Sequence, residues 1–243
     1  MKYAIIAAGE GSRLAKEGVT LPKPLVEING MPLIDRLIRI FMNNNATGIY
    51  VICNEMTSAV QSHLAEIQKN GLDGKMVPLH FIVKSTPSSM HSLYELRQFL
   101  LDEPFCLTTV DTIFDEKAFK SYIYTLQNVY MSGAADGVMG VTDFIDDEAP
   151  LYVAMDEEDV ITGFYDDAHH CQYVSGGIYG LTPSAIATLE RCVSRGESRM
   201  RNFQRALVVD GQKLLGYRFS KVLDIDHAID IPKAEEFLNN GCI

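Results

Sequence analysis

An apolar segment near the start of the chain leads directly into a glycine-rich turn. Residues 3–8 read YAIIAA, and residues 9–14 read GEGSRL. A continuous apolar run that ends at glycine is typical of a strand covered on both faces of a sheet. Because glycines let backbone N–H groups approach an anion closely, the turn is predicted to bind phosphate through Gly9 and Gly11.

Two common glycine motifs do not match this turn. The dinucleotide-binding fingerprint needs a third glycine where this chain has Leu14, and the Gly-Lys-Ser/Thr of a P-loop is absent. Arg13 and Lys23 follow the glycines and would add positive charge to the phosphate site. Both side chains are expected near the surface of a cleft.

The next part of the chain alternates between short apolar strands and amphipathic helices. Strands are predicted at residues 49–53, 79–83 and 105–110, with apolar side chains at helical spacing between them. Repeated strand–helix units of this kind imply a mostly parallel sheet with helices on both faces. Ligands bind at the carboxyl ends of such strands, where the glycine-rich turn and Asp111 are both expected.

The second half of the chain has a different pattern. Two short apolar segments, residues 152–155 and 160–164, flank an acidic turn at 156–159, which predicts a β-hairpin forming a small lid or side sheet. Thr182 and Pro183 are predicted to start a helix, with Thr182 as its N-cap. The predicted fold class is therefore α/β, with one small hairpin beside the main sheet.

Composition limits the classes of partner. A chain of 243 residues is long enough for one α/β domain over residues 1–243, and no linker or repeat divides it. Its formal net charge of −11 argues against nucleic acid or an anionic membrane surface as a partner, because both attract basic patches and this chain has none.

The cysteines and the N-terminal sequence favour the cytoplasm. The five cysteines are odd in number and lack CxxC spacing, which argues against a disulfide framework or a zinc site and predicts reduced, mostly buried thiols. The first strand follows Met1 without a signal peptide, and no apolar run approaches the ~20 residues of a membrane span. We therefore expect a cytoplasmic protein.

The glycine-rich turn becomes more specific when it is taken together with residues 21–34. AAGEGSRL at residues 7–14, followed by LPKPLVEINGMPLI at residues 21–34, resembles the signature of the sugar-phosphate nucleotidyltransferases. These are NTP-dependent pyrophosphorylases and their cytidylyltransferase relatives. The resemblance implies a Rossmann-like, GT-A-like fold and transfer of a nucleotide from an NTP to a phosphorylated small molecule, with loss of pyrophosphate.

The resemblance also implies roles for residues of the turn. Arg13 would hold the β- and γ-phosphates of the NTP, and Lys23 would contact its α-phosphate. An anionic acceptor phosphate needs no general base, so these side chains would position the reactants and neutralise charge. The nucleotide-binding residues implied are Ala8, Gly9, Gly11, Ser12 and Ser92.

Three aspartates are candidates for a Mg²⁺ site. Asp224 and Asp226 are two residues apart, so both carboxylates project from one face if this segment is a strand end. Mg²⁺ on a nucleotide commonly takes one or two protein carboxylates, and the resemblance implies Asp111 with Asp226 or Asp224. Without metal, repulsion between Asp111 and Asp226 should raise the pKa of one of them.

The acceptor side matches the family less closely. Ser175, Gly176 and Gly177 resemble part of an Asn-x-Gly-x-Tyr strand that contacts the sugar, but serine replaces asparagine. Many sugar-1-phosphate enzymes carry a Glu-Lys pair after the hairpin, where residues 163–167 of this chain read GFYDD. Residues 89–96 resemble the base-binding segment of phosphocholine-type cytidylyltransferases instead.

Several functions therefore stay open. The acceptor is a sugar 1-phosphate in the main hypothesis, and phosphocholine or another alcohol phosphate in the alternative. A regulatory domain that binds nucleotide without turnover is a hypothesis of another class. A glycosyltransferase should carry Asp-x-Asp at the end of the fourth strand, where this chain has Asp111-Thr112-Ile113, so that hypothesis fails. The oligomeric state is left open.

Overall fold

Strands and helices alternate through the first half of the chain, as predicted. The computed structural model describes residues 1–240. The strands are β1 (Lys2–Ala7), β2 (Glu27–Ile28), β3 (Met31–Pro32), β4 (Gly48–Cys53), β5 (Leu79–Val83), β6 (Phe105–Thr109), β7 (Thr112–Phe114), β8 (Gly137–Thr142), β9 (Tyr152–Met155), β10 (Ile161–Tyr165), β11 (Tyr173–Leu181), β12 (Leu214–Phe219) and β13 (Val222–Asp224). The helices are α1 (Ser12–Lys16), α2 (Leu33–Asn43), α3 (Ser58–Asn70), α4 (Ser89–Leu96), α5 (Glu116–Ser132), α6 (Ala185–Ser194), α7 (Met200–Val209) and α8 (Asp230–Asn240).

Within residues 1–240, nine strands form one sheet. Its main path has the order β10-β9-β11-β6-β1-β4-β5, and β8 and β12 continue from β11. β1 pairs in parallel with β4 and β6, and β4 pairs in parallel with β5. Of the nine, β10 and β11 run against the other seven, so the predicted mostly parallel sheet is confirmed.

The central strand β1 explains the apolar run in the sequence. Tyr3 and Ile5 pack into a core on one face of the sheet with α2, α3 and α5. Ala4 and Ile6 pack on the other face with α4, α6 and α7. Because successive side chains of a strand alternate between faces, a strand covered on both sides needs apolar residues throughout. The carboxyl ends of β1 and β6 are left at one edge for a site.

The predicted hairpin is present and joins the edge of the main sheet. β9 and β10 pair antiparallel, and the start of β11 pairs with β9. A separate small sheet is formed instead by β7 and β13, which pair antiparallel with Asp224 opposite Thr112. This two-stranded ribbon brings residues 222–226 next to Asp111.

The predicted start of the helix after β11 is wrong by two residues. Thr182 N donates to Asp136 O at 3.1 Å, which continues the pairing of the strand beyond Leu181. Ala185 N then donates to Thr182 O at 3.1 Å in a tight turn, and α6 begins at Ala185. Backbone pairing with a distant segment therefore outweighs the local N-cap signal of Thr182 and Pro183.

The cysteines of the described residues are mostly buried, as predicted. Cys53, Cys106 and Cys192 are buried thiols, and Cys171 is half-buried. Burial raises the pKa of the Cys53 thiol to about 11, so this thiol stays protonated at neutral pH. Cys242 lies outside the described residues.

Two further predictions concern the chain as a whole. No helix in the described part of the chain combines the length and the apolar character needed to cross a membrane. The assignment of residues 1–243 to a single domain stays a prediction.

Candidate active site

The glycine-rich turn lies at the carboxyl end of β1. Gly11 has a φ of 62°, a left-handed conformation that favours glycine, and α1 begins directly after it. A Cβ atom at Gly11 would lie 3.2 Å from Lys23 Cβ, so the glycine also lets these two segments pack closely. Together they border a cleft of about 440 Å³, here called the nucleotide cleft, which Ala8, Gly9 and Ser12 also line.

Lys23 lies between two carboxylates from distant parts of the chain. Its ammonium group contacts Asp111 Oδ2 and lies 2.7 Å from Asp226 Oδ1. Burial alone would lower the pKa of Lys23, but the two carboxylates raise it above its ordinary value. The side chain is 11% exposed, which is more buried than expected from the sequence. A charged ammonium group therefore joins three segments of the chain at one point.

Arg13 stands at the mouth of the nucleotide cleft. Its Nη1 lies 3.1 Å from Asp226 Oδ2, and its Nη2 lies 3.7 Å from Glu148 Oε2. The side chain is 54% exposed, in agreement with the predicted surface position. Arg13 and Lys23 therefore share Asp226 as an ion-pair partner.

The ribbon of β7 and β13 positions the three aspartates. Ile225 N donates to Asp111 O at 3.2 Å, and Asp224 and Asp226 both border one cleft of about 220 Å³. Asp224 borders this cleft, and the protein atoms around it, followed by the charges of Asp111 and Asp226, raise its pKa above its ordinary value. Lys23 is close enough to reduce this effect without cancelling it.

Asp226 titrates in the opposite direction. Burial alone would raise the pKa of Asp226, but the hydrogen bond and charge of Lys23 and the charge of Arg13 lower it below its ordinary value. The sequence predicts a raised pKa within the pair of Asp111 and Asp226. At Asp226 the pKa moves the other way, because Lys23 stabilises its charge, and a raised pKa is found at the neighbouring Asp224.

The donor groups fit a Mg²⁺ ion bound by two carboxylates. Asp111 and Asp226 already converge on one cation, the Lys23 ammonium, and both offer hard oxygen atoms. Within residues 1–240, no group of three or more His, Cys, Asp or Glu side chains is arranged to hold a metal. Asp224 as a ligand in place of Asp226 stays a prediction, and water and phosphate oxygens would complete the coordination in either case.

Ser92 borders the nucleotide cleft, but its hydroxyl group is engaged elsewhere. The residue is 1% exposed, and its Oγ lies 2.7 Å from Thr86 Oγ1. Residues 86–89 line the cleft together with Ser92. Ser92 therefore holds this wall in place through Thr86, and its direct contact with a nucleotide stays a prediction.

Residues 175–177 form a bulge in β11. The register between β11 and β8 shifts between Ser175 and Tyr179, and Gly177 has a φ of 69°. Ser175 Oγ donates to Gln204 Oε1 at 3.0 Å, which fixes the serine that replaces asparagine. The bulge borders a second cleft of about 440 Å³, here called the acceptor cleft, which adjoins the nucleotide cleft at Thr109.

Two arginines in the acceptor cleft have no counterpart among the residues predicted from the sequence. Arg199 precedes α7, and Arg201 lies in its first turn. Arg201 donates to Ala149 O at 3.0 Å and pairs with Asp166, whereas Arg199 makes no ion pair among residues 1–240. The sequence does contain a pattern that could have indicated them, since four arginines fall within residues 195–205 of an otherwise acidic chain.

Two mannose-1-phosphate guanyltransferases are similar to this chain in sequence. The chain is 24% identical over its whole length to a mannose-1-phosphate guanyltransferase of Candida albicans, and the match spans 64% of that protein. It is 30% identical over 118 residues, 47% of its length, to a mannose-1-phosphate guanyltransferase of Hypocrea jecorina, of which the match spans 31%. The chain thus spans less than two thirds of the length of either relative.

Solved structures show the same fold. A protein from Bacillus anthracis, assigned as a glucose-1-phosphate thymidylyltransferase, superposes with a TM-score of 0.80 at 18% identity, over 98% of this chain and 94% of the other. At this identity the likeness concerns the fold alone. The family match is with Nucleotidyl transferase and covers residues 2–240. The chain, with its glycine-rich turn and the carboxylates around Lys23, therefore belongs to the Nucleotidyl transferase family.

Proposed function

We propose that the protein is a Mg²⁺-dependent nucleotidyltransferase that joins the NMP unit of an NTP to a sugar 1-phosphate or a similar phosphorylated small molecule. The observation that carries this proposal is the position of Lys23, which meets Asp111 and Asp226 beside the nucleotide cleft. The adjoining acceptor cleft offers room for a second substrate. The unpaired cysteines support a cytoplasmic location.

In the proposed reaction, an oxygen of the acceptor phosphate attacks the α-phosphorus of the NTP in line with the leaving group. A bond forms between that oxygen and the α-phosphorus, the bond from the α-phosphorus to the bridging oxygen breaks, and pyrophosphate leaves with the electron pair. Because the attacking phosphate is already anionic, no side chain needs to remove a proton. The protein holds two anions together and neutralises their charge.

The charged residues of the nucleotide cleft suit this work. Lys23 would donate to oxygens of the α-phosphate, and Arg13 at the mouth of the cleft would donate to the β- and γ-phosphates. Backbone N–H groups of the glycine-rich turn would add uncharged donors. Mg²⁺, held by Asp111 and Asp226, would neutralise negative charge on the same phosphates.

The acceptor cleft suits a phosphorylated ligand. Arg199 and Arg201 border the cleft and would bind the acceptor phosphate, in place of the lysine that residues 163–167 lack. Ser175 and Gly177 border the same cleft and would contact the rest of the acceptor. The names of the two mannose-1-phosphate relatives support a sugar 1-phosphate.

A screen of NTPs against acceptors tests the proposal. Pyrophosphate release would be measured for each NTP with sugar 1-phosphates, phosphocholine and other alcohol phosphates, with Mg²⁺ or with EDTA. We expect release with at least one pair, dependent on Mg²⁺. Release with phosphocholine alone would identify the alcohol-phosphate alternative. Calorimetric binding of an NTP without release from any pair would identify a nucleotide-binding domain without turnover and would overturn the proposal.

A further inference from the structure

A separate cavity lies between α2, the start of α5, α8 and the turn between β2 and β3. Its volume is about 470 Å³, which is within the range of small-molecule sites. None of its lining residues borders the nucleotide or acceptor cleft. Its apolar lining is provided by Ile28, Met31, Phe237 and Leu238.

Two guanidinium groups of α2 line this cavity and carry buried donors without partners. Arg36 is 5% exposed, and its Nη1 has no hydrogen-bond partner among residues 1–240. Its Nη2 is satisfied, because it donates to Phe114 O at 2.8 Å. Arg39 Nε is likewise buried and unpartnered in the described part of the chain, although its Nη2 pairs with Asp73 at 2.7 Å. Leaving buried donors of a charged group unpaired is costly, so both invite an acceptor.

The carboxylates beside the cavity leave its two unpaired donors unsatisfied. Asp115 is engaged in capping α5, since its Oδ1 accepts a hydrogen bond from Ala118 N at 2.7 Å. Glu116 is 54% exposed and lies 3.7 Å from Arg36 Nη2, too far for a hydrogen bond. Lys117 also lines the cavity and makes no ion pair within residues 1–240. Neither of the two lining carboxylates, nor Asp73 beside Arg39, therefore reaches an unpaired donor.

We propose that this cavity binds a small amphipathic organic anion. Its phosphate or carboxylate group accepts hydrogen bonds from Arg36 Nη1 and Arg39 Nε, which are one turn apart on α2. Its apolar part packs against Met31 and Phe237. An inorganic anion would satisfy the donors but leave the apolar wall uncovered, so the ligand needs both parts.

Methionine methyl NMR can report on the two kinds of site separately. Met31 lines the cavity, and Met200 lines the acceptor cleft. Protein labelled at methionine methyl groups would be titrated with phenyl phosphate, benzoate, inorganic phosphate and benzyl alcohol. We expect a saturable shift of the Met31 signal with phenyl phosphate or benzoate, and the two anions distinguish a phosphate from a carboxylate ligand. Inorganic phosphate and benzyl alcohol should each bind about tenfold or more weakly.

Variants assign the binding to the two arginines. Arg36→Lys and Arg39→Gln should each lower the affinity for the organic anion by about tenfold or more, as measured from the shift of the Met31 signal. Arg218→Gln is the matched control for Arg39→Gln. Like Arg39, Arg218 is partly exposed and pairs with one aspartate, Asp159, but it lies outside the cavity. Arg39 is 40% exposed, so Arg39→Gln keeps the test open if Arg36→Lys does not fold.

Four results would overturn this proposal. They are no saturable shift of Met31 with either organic anion, a shift confined to Met200, equal affinity for benzyl alcohol or inorganic phosphate, and undiminished affinity in the Arg39→Gln variant.

Discussion

At the scale of single residues, Lys23 turns a repulsive pair of carboxylates into an attractive cluster. Asp111 and Asp226 reach the same point from different segments, and like charges this close destabilise each other when no cation lies between them. The Lys23 ammonium provides that cation from within the chain. The folded protein therefore accommodates both carboxylates before any ligand binds.

Removing either cation of the nucleotide cleft should reduce turnover strongly. Lys23→Ala and Arg13→Ala are each expected to lower pyrophosphate release by roughly 10²-fold or more, because each removes a donor to developing charge. Lys16→Ala is the control, since Lys16 is exposed on α1, the helix that carries Arg13, and lines neither cleft. Near-normal turnover in both variants would show that the glycine-rich turn is not the nucleotide site.

The same two variants should differ in stability. Lys23→Ala is expected to lower the free energy of unfolding in urea without Mg²⁺, because it leaves Asp111 without its cation and removes the charge between two facing carboxylates. Arg13→Ala should change it much less, since the Arg13 side chain is 54% exposed and the Lys23 side chain is 11% exposed. Equal effects of the two substitutions would contradict the central position of Lys23.

Residues of this site differ in how well their roles could be predicted from the sequence. Arg13 and Lys23 belong to one continuous signature, so their types and spacing predict their roles. Arg199 carries no such signature, because its position in the acceptor cleft depends on how α7 packs beside β11. The raised pKa of Asp224 depends first on the protein atoms packed around it and then on its distance from Asp111, and the sequence gives neither.

At the scale of elements, the bulge of β11 depends on a left-handed glycine. Gly177→Ala should destabilise the protein by about 1–2 kcal/mol, because an L-residue is strained at its φ of 69°. Gly196→Ala is the matched control, since Gly196 has a φ of 76° and a Cβ atom there meets nothing within 4 Å. Both should lose stability in urea, but only Gly177→Ala should raise the KM for the acceptor. An unchanged KM would remove the bulge from the acceptor site.

An ion pair between α2 and α3 should make stability depend on pH. His63 Nε2 lies 2.5 Å from Asp35 Oδ1, and this hydrogen bond raises the pKa of His63 above its ordinary value of 6.5. The stabilisation is therefore complete below pH 6.5 and is lost as the pH rises through the raised pKa.

Urea denaturation at several pH values checks this dependence. The excess stability of the wild type over His63→Gln should decline as the pH rises above 6.5. His170→Gln, at an exposed histidine in a loop, should show no comparable decline in its difference from the wild type. A constant excess for His63→Gln across this range would exclude the pair as a source of the dependence.

Elements with strong internal patterns could be predicted, and those that depend on distant partners could not. β1 needs apolar residues at every position because it is buried on both faces, and this leaves a clear trace in the sequence. β7 and β13 have three residues each and exist only because they pair with one another. Thr182 likewise pairs with Asp136 through a backbone hydrogen bond and does not act as the predicted N-cap.

At the scale of the whole molecule, ligand binding should appear as a change in global stability. Mg²⁺ with a non-hydrolysable NTP should raise the melting temperature, because a ligand at about 100 times its Kd stabilises a folded protein by ~2.7 kcal/mol. Asp111→Asn and Asp226→Asn should abolish most of the Mg²⁺-linked part of this rise. Asp224→Asn should keep most of it, since Asp111 and Asp226, and not Asp224, converge on the Lys23 ammonium group. An unchanged Mg²⁺-linked rise in melting temperature in Asp111→Asn would show that Asp111 does not bind the metal.

The ribbon of β7 and β13 has a consequence for synthesis on the ribosome. Asp111 emerges early, but the segment that completes its surroundings, residues 222–226, emerges more than a hundred residues later. β12, which pairs with β8, is also made late. A nascent chain shorter than this therefore displays the glycine-rich turn without the carboxylate of Asp226, and it should not retain a nucleotide until translation has passed that residue.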